Sequence, residues 1–238
     1  MTVSHDDLEI EWLGYATVRI DGPDTVVYID PGRYGVLSGN WEAPSEAAAE
    51  AHPPGRDRRP EDGDLICVTH IHHYDPDGIR RVAADDATIL AFEGIDVHGT
   101  GRTNERLADL SYGVREVGLE ADVIAEDLPV WTIEAFNDPE GPHTLPDGSP
   151  FHPEGIGCGF LLAVDGTRVF FPGDTDALEG HAEIDADVFL PPIGGTFTMD
   201  RHEAADLAAA MDPELVVPVH YNTFERIETE SDAFAAGL

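Results

Sequence analysis

The stretch Val68-Thr69-His70-Ile71-His72-His73-Tyr74-Asp75-Pro76-Asp77-Gly78 follows the apolar run DLIC (64–67) and carries three imidazoles and two carboxylates. Side chains two apart on an extended backbone point the same way, so His70 and His72 can reach one ion. An isolated His-x-His pair is more often an ordinary pair of loop histidines. Three positions further along extend the pattern. Asp174 follows VFFPG (169–173), His220 follows VVPV (216–219), and His152 lies in the loop PFHPEGIGCG (150–159). Taken singly, Asp174 reads as a turn aspartate, His220 as a satisfied core histidine and His152 as a loop residue. Together they read as one metal site, because strand ends let a sheet aim distant side chains at a common point. Imidazole and carboxylate sets of this kind suit Zn²⁺, Mn²⁺ or Fe²⁺.

Charge narrows the classes of partner. Forty-eight acidic residues face 13 basic ones in 238, a formal net charge of −35, and every basic residue is arginine. Such a surface repels itself at low ionic strength and is screened in concentrated salt, which points to a halophile protein. Hydrophobic content of 42% argues against disorder. The basic clusters Arg56-Asp57-Arg58-Arg59 and Arg80-Arg81 are too small to track a phosphate backbone, so no nucleic-acid partner is expected. Nor is a membrane partner: no apolar stretch approaches the ~20 residues of a spanning helix. The N-terminal MTVSHDDLEI has neither a basic region nor an apolar signal core, so a cytoplasmic location is expected. Cys67 and Cys158 belong to no CxxC pair and read as buried, reduced thiols.

Periodicity gives the outline. LEIEWL, ATVRI and TVVYID read as an N-terminal meander, and a connector over 35–63 holds a short helix at PSEAAAEA. DLICVT is a strand, PDGIRRVAAD a helix, ATILAF a strand, and TNERLADL a helix capped by Thr103. The second half repeats the style. DVIAE and PVWTIEAF are strands, GFLLAV and RVFFPG form a hairpin around Asp165-Gly166, DVFLPPI and ELVVPVH are strands, and MDRHEAADLAAAM is a helix capped by Thr198 or Asp200. Strands gathered in each half with helices between them suggest two packed sheets with helices outside, in one domain over 1–238.

The order of WLGYATVRI, VVYIDPG, VTHIHHYDP, FHPEGIGCGF, VFFPGDTD, VFLPPIGGTFTMDRHEA and VVPVHYN resembles that of metallo-β-lactamase-fold hydrolases, in particular the ascorbate-6-phosphate-lactonase-like branch. The resemblance runs from about Leu8 to Phe224. It implies an αββα sandwich of two mixed β-sheets flanked by helices, with a dinuclear site in a cleft at the sheet edges. Carried over by position, it implies that His70, His72 and His152 hold a first divalent metal, that Asp174 bridges, and that His220 completes a second. Zinc is the expected ion, with manganese or iron as alternatives.

One departure matters. The family pattern HxHxDH would put Asp at position 74 and His at 75, where this chain has Tyr74 and Asp75. Either Asp75 replaces the histidine, or the loop is shorter by two and His73 takes that role. The expectation favours Asp75 as ligand to the second metal, with Asp75 or His73 as the acid that protonates the leaving group. Tyr15, where relatives often carry His, gets no metal role. The expected activity is metal-assisted hydrolysis of an ester, lactone or phosphoester small molecule. No arginine cluster adjoins the motifs, so a phosphorylated substrate is not indicated, and Arg201 reads as an exposed helix-start residue. The rival readings are a metal-binding protein with little turnover and a nuclease of the same fold, the latter disfavoured by the acidic surface. A homo-oligomer is left open.

Overall fold

The structure, a computed structural model, describes residues 2–98 and 101–237. The expected span of 1–238 therefore includes Met1, Gly99, Thr100 and Leu238, which lie outside the described residues. Strands β1 (Thr2–His5), β2 (Leu8–Gly14), β3 (Thr17–Asp21) and β4 (Val26–Ile29) form an antiparallel meander. In β2 the apolar Leu8, Ile10 and Trp12 are buried while Glu9 is exposed, the alternation expected of a sheet with one wet face. After helix α1 (Glu46–Ala51) the chain returns as β5 (Gly63–Val68), parallel to β4. Helix α2 (Pro76–Val82) then leads to β6 (Ala83–Phe92) and β7 (Gly113–Val117), also parallel. The seven strands lie in chain order.

The second sheet repeats this design. Strands β8 (Asp122–Ala125), β9 (Leu128–Glu134), β10 (Cys158–Val164) and β11 (Thr167–Phe171) are antiparallel, and β12 (Val188–Phe189) and β13 (Leu215–Val216) add in parallel. Helix α3 (Arg201–Met211) precedes β13 and α4 (Ser231–Ala235) ends the chain. One contiguous apolar core draws on both sheets, with Trp12, Ile20 and Ile66 from the first and Phe160, Phe170 and Phe189 from the second. The result is two mixed sheets with helices, the αββα arrangement. Cys67 and Cys158 are buried free thiols within it.

Several boundaries differ from the sequence-based expectation, each for a local reason. The α2 helix stops at Val82, and Ala83 turns extended to begin a ten-residue strand, because the AAD tail pairs beside β5 at Gly63. The expected helix at TNERLADL is a single 3₁₀ turn, Leu107–Asp109. Thr103 Oγ1 accepts from the Glu105 amide, two residues on, and the two buried leucines are spaced by three, which one 3₁₀ turn satisfies. DVFLPPI and ELVVPVH contribute two ladder residues each, since Pro191, Pro192 and Pro218 lack the N–H a longer ladder needs. Edge strands β1 and β7 escaped the pattern because neither buries an alternating face. The α3 cap is Asp200, which accepts from the His202 and Glu203 amides while Glu203 reaches back to the Asp200 amide.

Candidate metal centre

The loops after β5, β11 and β13 and the long segment between β9 and β10 converge at one end of the two sheets. Contact between sheets is direct there. His70 bridges Gly157, and the Cys158 amide donates to the Thr69 carbonyl at 3.2 Å. Gly157 is required, because a Cβ at that position would sit 2.7 Å from the His70 Cβ.

Asp174 lies at the centre, 7% exposed, with four imidazoles around its carboxylate. His73 Nε2 and His220 Nε2 are each 3.4 Å from Oδ1, while His152 Nε2 is 3.4 Å and His70 Nε2 is 3.7 Å from Oδ2. His72 joins from the side, its Nδ1 3.1 Å from His152 Nε2. Two triads, His70-His72-His152 and His70-His73-Asp174, each bring their donor atoms within 4.8 Å of one another.

Neighbouring groups orient the rings. Thr69 Oγ1 donates to Asp30 Oδ2 at 2.7 Å, so it accepts from His70 Nδ1 at 2.9 Å and leaves Nε2 as a bare lone pair. His73 Nδ1 donates to the same Asp30 oxygen at 2.6 Å. His152 Nδ1 faces the Phe197 carbonyl at 3.1 Å and Asn137 Oδ1 at 3.2 Å, turning Nε2 toward Asp174. Asn137 in turn donates to Asp176 Oδ1, which also holds His143 Nδ1 at 2.6 Å. His220 and Tyr15 both adopt positive φ, +55° and +52°, and the His220 amide donates to the Tyr15 carbonyl at 2.8 Å. Non-glycine residues take that conformation at a cost, and such strain clusters at functional sites.

The electrostatics suit a cation. Burial pushes His70 and His152 below the usual imidazole range and His72 down to about 4, so these rings are neutral and ligand-ready. Burial also opposes charge on His73, but Asp174 and Asp30 on its two sides outweigh it and raise it to about 10. Burial would likewise raise the Asp174 carboxyl, yet His220 and His73 hold it well below the ordinary value. The decisive feature is polar dissatisfaction. Among the described residues, His70 Nε2, His73 Nε2 and both ring nitrogens of His220 are buried without a hydrogen-bond partner. Buried polar atoms are rarely left unpaired, and the three Nε2 atoms gathered at the Asp174 carboxylate fit ligands for divalent ions.

The structure thus brings His70, His72, His73, His152, Asp174 and His220 together, and it removes Asp75. That carboxylate caps α2, accepting from the Asp77 and Gly78 amides through Oδ1 and from the Arg33 amide through Oδ2. The expectation of Asp75 as second-metal ligand and acid is corrected: both its oxygens are committed to backbone amides, and His73 stands in the cluster, as in the shortened-loop alternative. Tyr74 is buried away from the cluster in the apolar core. Arg201 faces Glu230 at 3.4 Å. Sequence reasoning passed over Asp30 and Asn137. Asp30 had a signal, a carboxylate ending the buried VVYI run, whereas Asn137 in a polar loop had none.

Beside the cluster opens a cavity of about 390 Å³, with His72, His152, Asp174 and His220 on its wall. Aromatic rings and the guanidiniums of Arg33, Arg102 and Arg226 complete the lining.

Comparisons with known proteins bear on the family and the fold. Residues 9–220 match the family described as the beta-lactamase superfamily domain. A UPF0173 metal-dependent hydrolase of Thermococcus kodakarensis is 30% identical over 237 residues, covering 95% of this chain and 90% of that protein. A crystal structure from Parabacteroides distasonis aligns over 100% of this chain and 92% of its own at a TM-score of 0.68 and 20% identity. Igni18, a metallo hydrolase of Ignicoccus hospitalis, aligns over 95% and 88% at a TM-score of 0.63 and 22% identity. At those identities the structures speak for the fold alone. With nearly its whole length matched, the chain belongs to the beta-lactamase superfamily and, within it, to the UPF0173 metal-dependent hydrolases.

Proposed function

We propose that the protein hydrolyses an ester, lactone or phosphoester small molecule with the help of divalent metal, zinc in the first place and manganese or iron otherwise, held at the His/Asp cluster. The carrying observation is the set of unpartnered imidazole nitrogens of His70, His73 and His220, buried around Asp174. His70, His72 and His152 would hold one ion, and His73, Asp174 and His220 a second. When bound, such ions supply Lewis acidity and bring the pKa of a water from 15.7 to about 7. The chain's own residues do the rest. Asp30, Thr69, Asn137 and the Phe197 carbonyl hold the rings in register, and Asp174 offsets part of the charge. His73, with Nδ1–H held on Asp30, would offer Nε2 as the ligand atom.

The motif order supports placing the chain beside ascorbate-6-phosphate-lactonase-like members. The lysine-free acidic composition supports work in concentrated salt and away from nucleic acid, and a cytoplasmic location is part of the same proposal. Among the described residues no helix is long and apolar enough to cross a membrane.

The test is reconstitution with Zn²⁺, Mn²⁺ or Fe²⁺ in 2 M KCl, then elemental analysis and turnover of a panel of lactones, aryl esters and phosphodiesters. Bound metal with turnover that disappears in Asp174→Asn is the expected result. Stoichiometric metal without turnover of any class would favour the metal-binding protein, and absence of bound metal would defeat both.

A further inference from the structure

Arginine placement carries a second reading of the same cleft. In a chain with 48 acidic residues, guanidiniums find carboxylates readily. Arg19, Arg58, Arg80, Arg81, Arg168 and Arg201 all do. Arg33 and Arg226 line the cavity, and among the described residues neither has a carboxylate partner. Among the described residues Arg33 Nε is buried with no hydrogen-bond partner. Both side chains are nevertheless held. The Arg33 amide is pinned by Asp75, and its guanidinium carbon lies 5.0 Å from the Tyr34 ring centre. That of Arg226 lies 4.4 Å from the Phe197 ring and 5.5 Å from Phe151. Between these ends runs a wall of aromatic rings: Tyr34 stacks on Phe224 at 4.7 Å, Phe224 neighbours Phe197 at 6.2 Å, and Phe151 meets Phe197 edge-on at 4.8 Å. Arg102, tied to the Ile71 and His72 carbonyls, brings a third cation to the same lining.

We propose that Arg33 and Arg226, at the two ends of this wall, each offer an anion contact at the mouth of the cleft, so that the substrate is a small hydrolysable compound with a flat apolar body and an oxyanion, carboxylate or phosphate, set apart from the bond that is cut. This rests on the hydrolase reading and adds to it the class of substrate. A guanidinium with its donors unspent matches an oxyanion in a planar, two-pronged contact. The aromatic wall accepts the apolar body and holds the arginines by cation–π contact. In molar salt, where charges are screened within ~3 Å, direct contact of this kind survives while long-range attraction does not. The acidic exterior leaves the cleft mouth as a local exception in sign.

The test is equilibrium binding in 2 M KCl of 3-phenylpropionate, benzyl phosphate and the neutral 3-phenylpropanamide to the zinc-loaded full chain, repeated on chain stripped of metal so that contact with an ion is not the source. At least one anion is expected to bind about tenfold tighter than the amide in both forms, as a charged hydrogen bond provides. The better anion distinguishes carboxylate from phosphate. Either Arg33→Gln or Arg226→Gln should remove most of that margin, which shows the end of the wall that takes the anion. Arg115→Gln, an exposed arginine far along the chain that donates to the Ile124 carbonyl, should keep it. Equal binding of amide and anions, or a margin that survives both cleft variants, would overturn the anion subsite. A zinc-loaded protein that turns over no ester yet keeps the margin would count against the hydrolase reading alone.

Discussion

Asp75 and His73 compete for one role in the sequence, and local backbone decides between them. A carboxylate directly before Pro76 stands at the N-cap of a helix, where free amides claim it before any ion can. Asp75→Ala should therefore leave the ratio of metal to protein unchanged while lowering stability by about 1 kcal/mol, the usual cost of a lost cap. Elemental analysis beside denaturant unfolding measures both, and loss of an ion would return Asp75 to the metal. Asp30 makes the opposite case, touching no expected ion yet ordering two ring systems through Thr69 and His73. Asp30→Asn is expected to weaken zinc binding 10–100-fold in chelator competition, the usual effect of removing a carboxylate behind a ligating histidine. Unchanged affinity would make Asp30 a purely structural residue. At this scale the sequence made legible those residues whose place is set by a preceding strand: His70, His72, Asp174 and His220. Asp30, Asn137 and the three arginines were not legible, because their roles depend on partners 15 to 60 residues away or more.

Elements were most legible where burial enforces a period. The meander β2–β4 and the β10–β11 hairpin follow the alternation of their apolar residues, and the hairpin turn follows from Asp165-Gly166. Their φ values, +49° and +90°, are those of the tight turn whose twist matches the strands. A Cβ at Gly166 would meet nothing within 4 Å, so Gly166→Ala isolates backbone strain from clash. It is expected to cost roughly 1 kcal/mol in thermal or denaturant unfolding, the penalty for a side chain in the left-handed region. A neutral outcome would mean that the turn relaxes to another type. Elements with little to bury were not legible. Four of the five residues of β7 are exposed, so only pairing with β6 makes it a strand. The helical reading of TNERLADL failed for a related reason: two leucines three apart make one turn, and nothing apolar extends it.

For the molecule as a whole, charge governs the conditions and the cluster governs the chemistry. All but a few of the 48 acidic groups share an accessible surface of 10455 Å². Their mean spacing of roughly 15 Å lies inside the ~30 Å Debye length of 0.01 M salt and well outside the ~3 Å of 1 M salt. Thermal unfolding in 2 M KCl should have a higher midpoint than in 0.1 M KCl, and an equal or lower one would contradict the expected salt requirement. The αββα arrangement was legible from the order of motifs, while the cationic mouth was not, since residues 33, 102 and 226 meet only when both sheets are in place. Six side chains from four loops are expected to hold divalent metal. An anomalous difference map at the zinc edge, from crystals of the full chain grown with zinc, tests it most directly. Density is expected among His70, His72 and His152 and again among His73, Asp174 and His220, with ligand atoms ~2.0–2.2 Å away. An empty cluster, or zinc bound only elsewhere on the acidic surface, would contradict it.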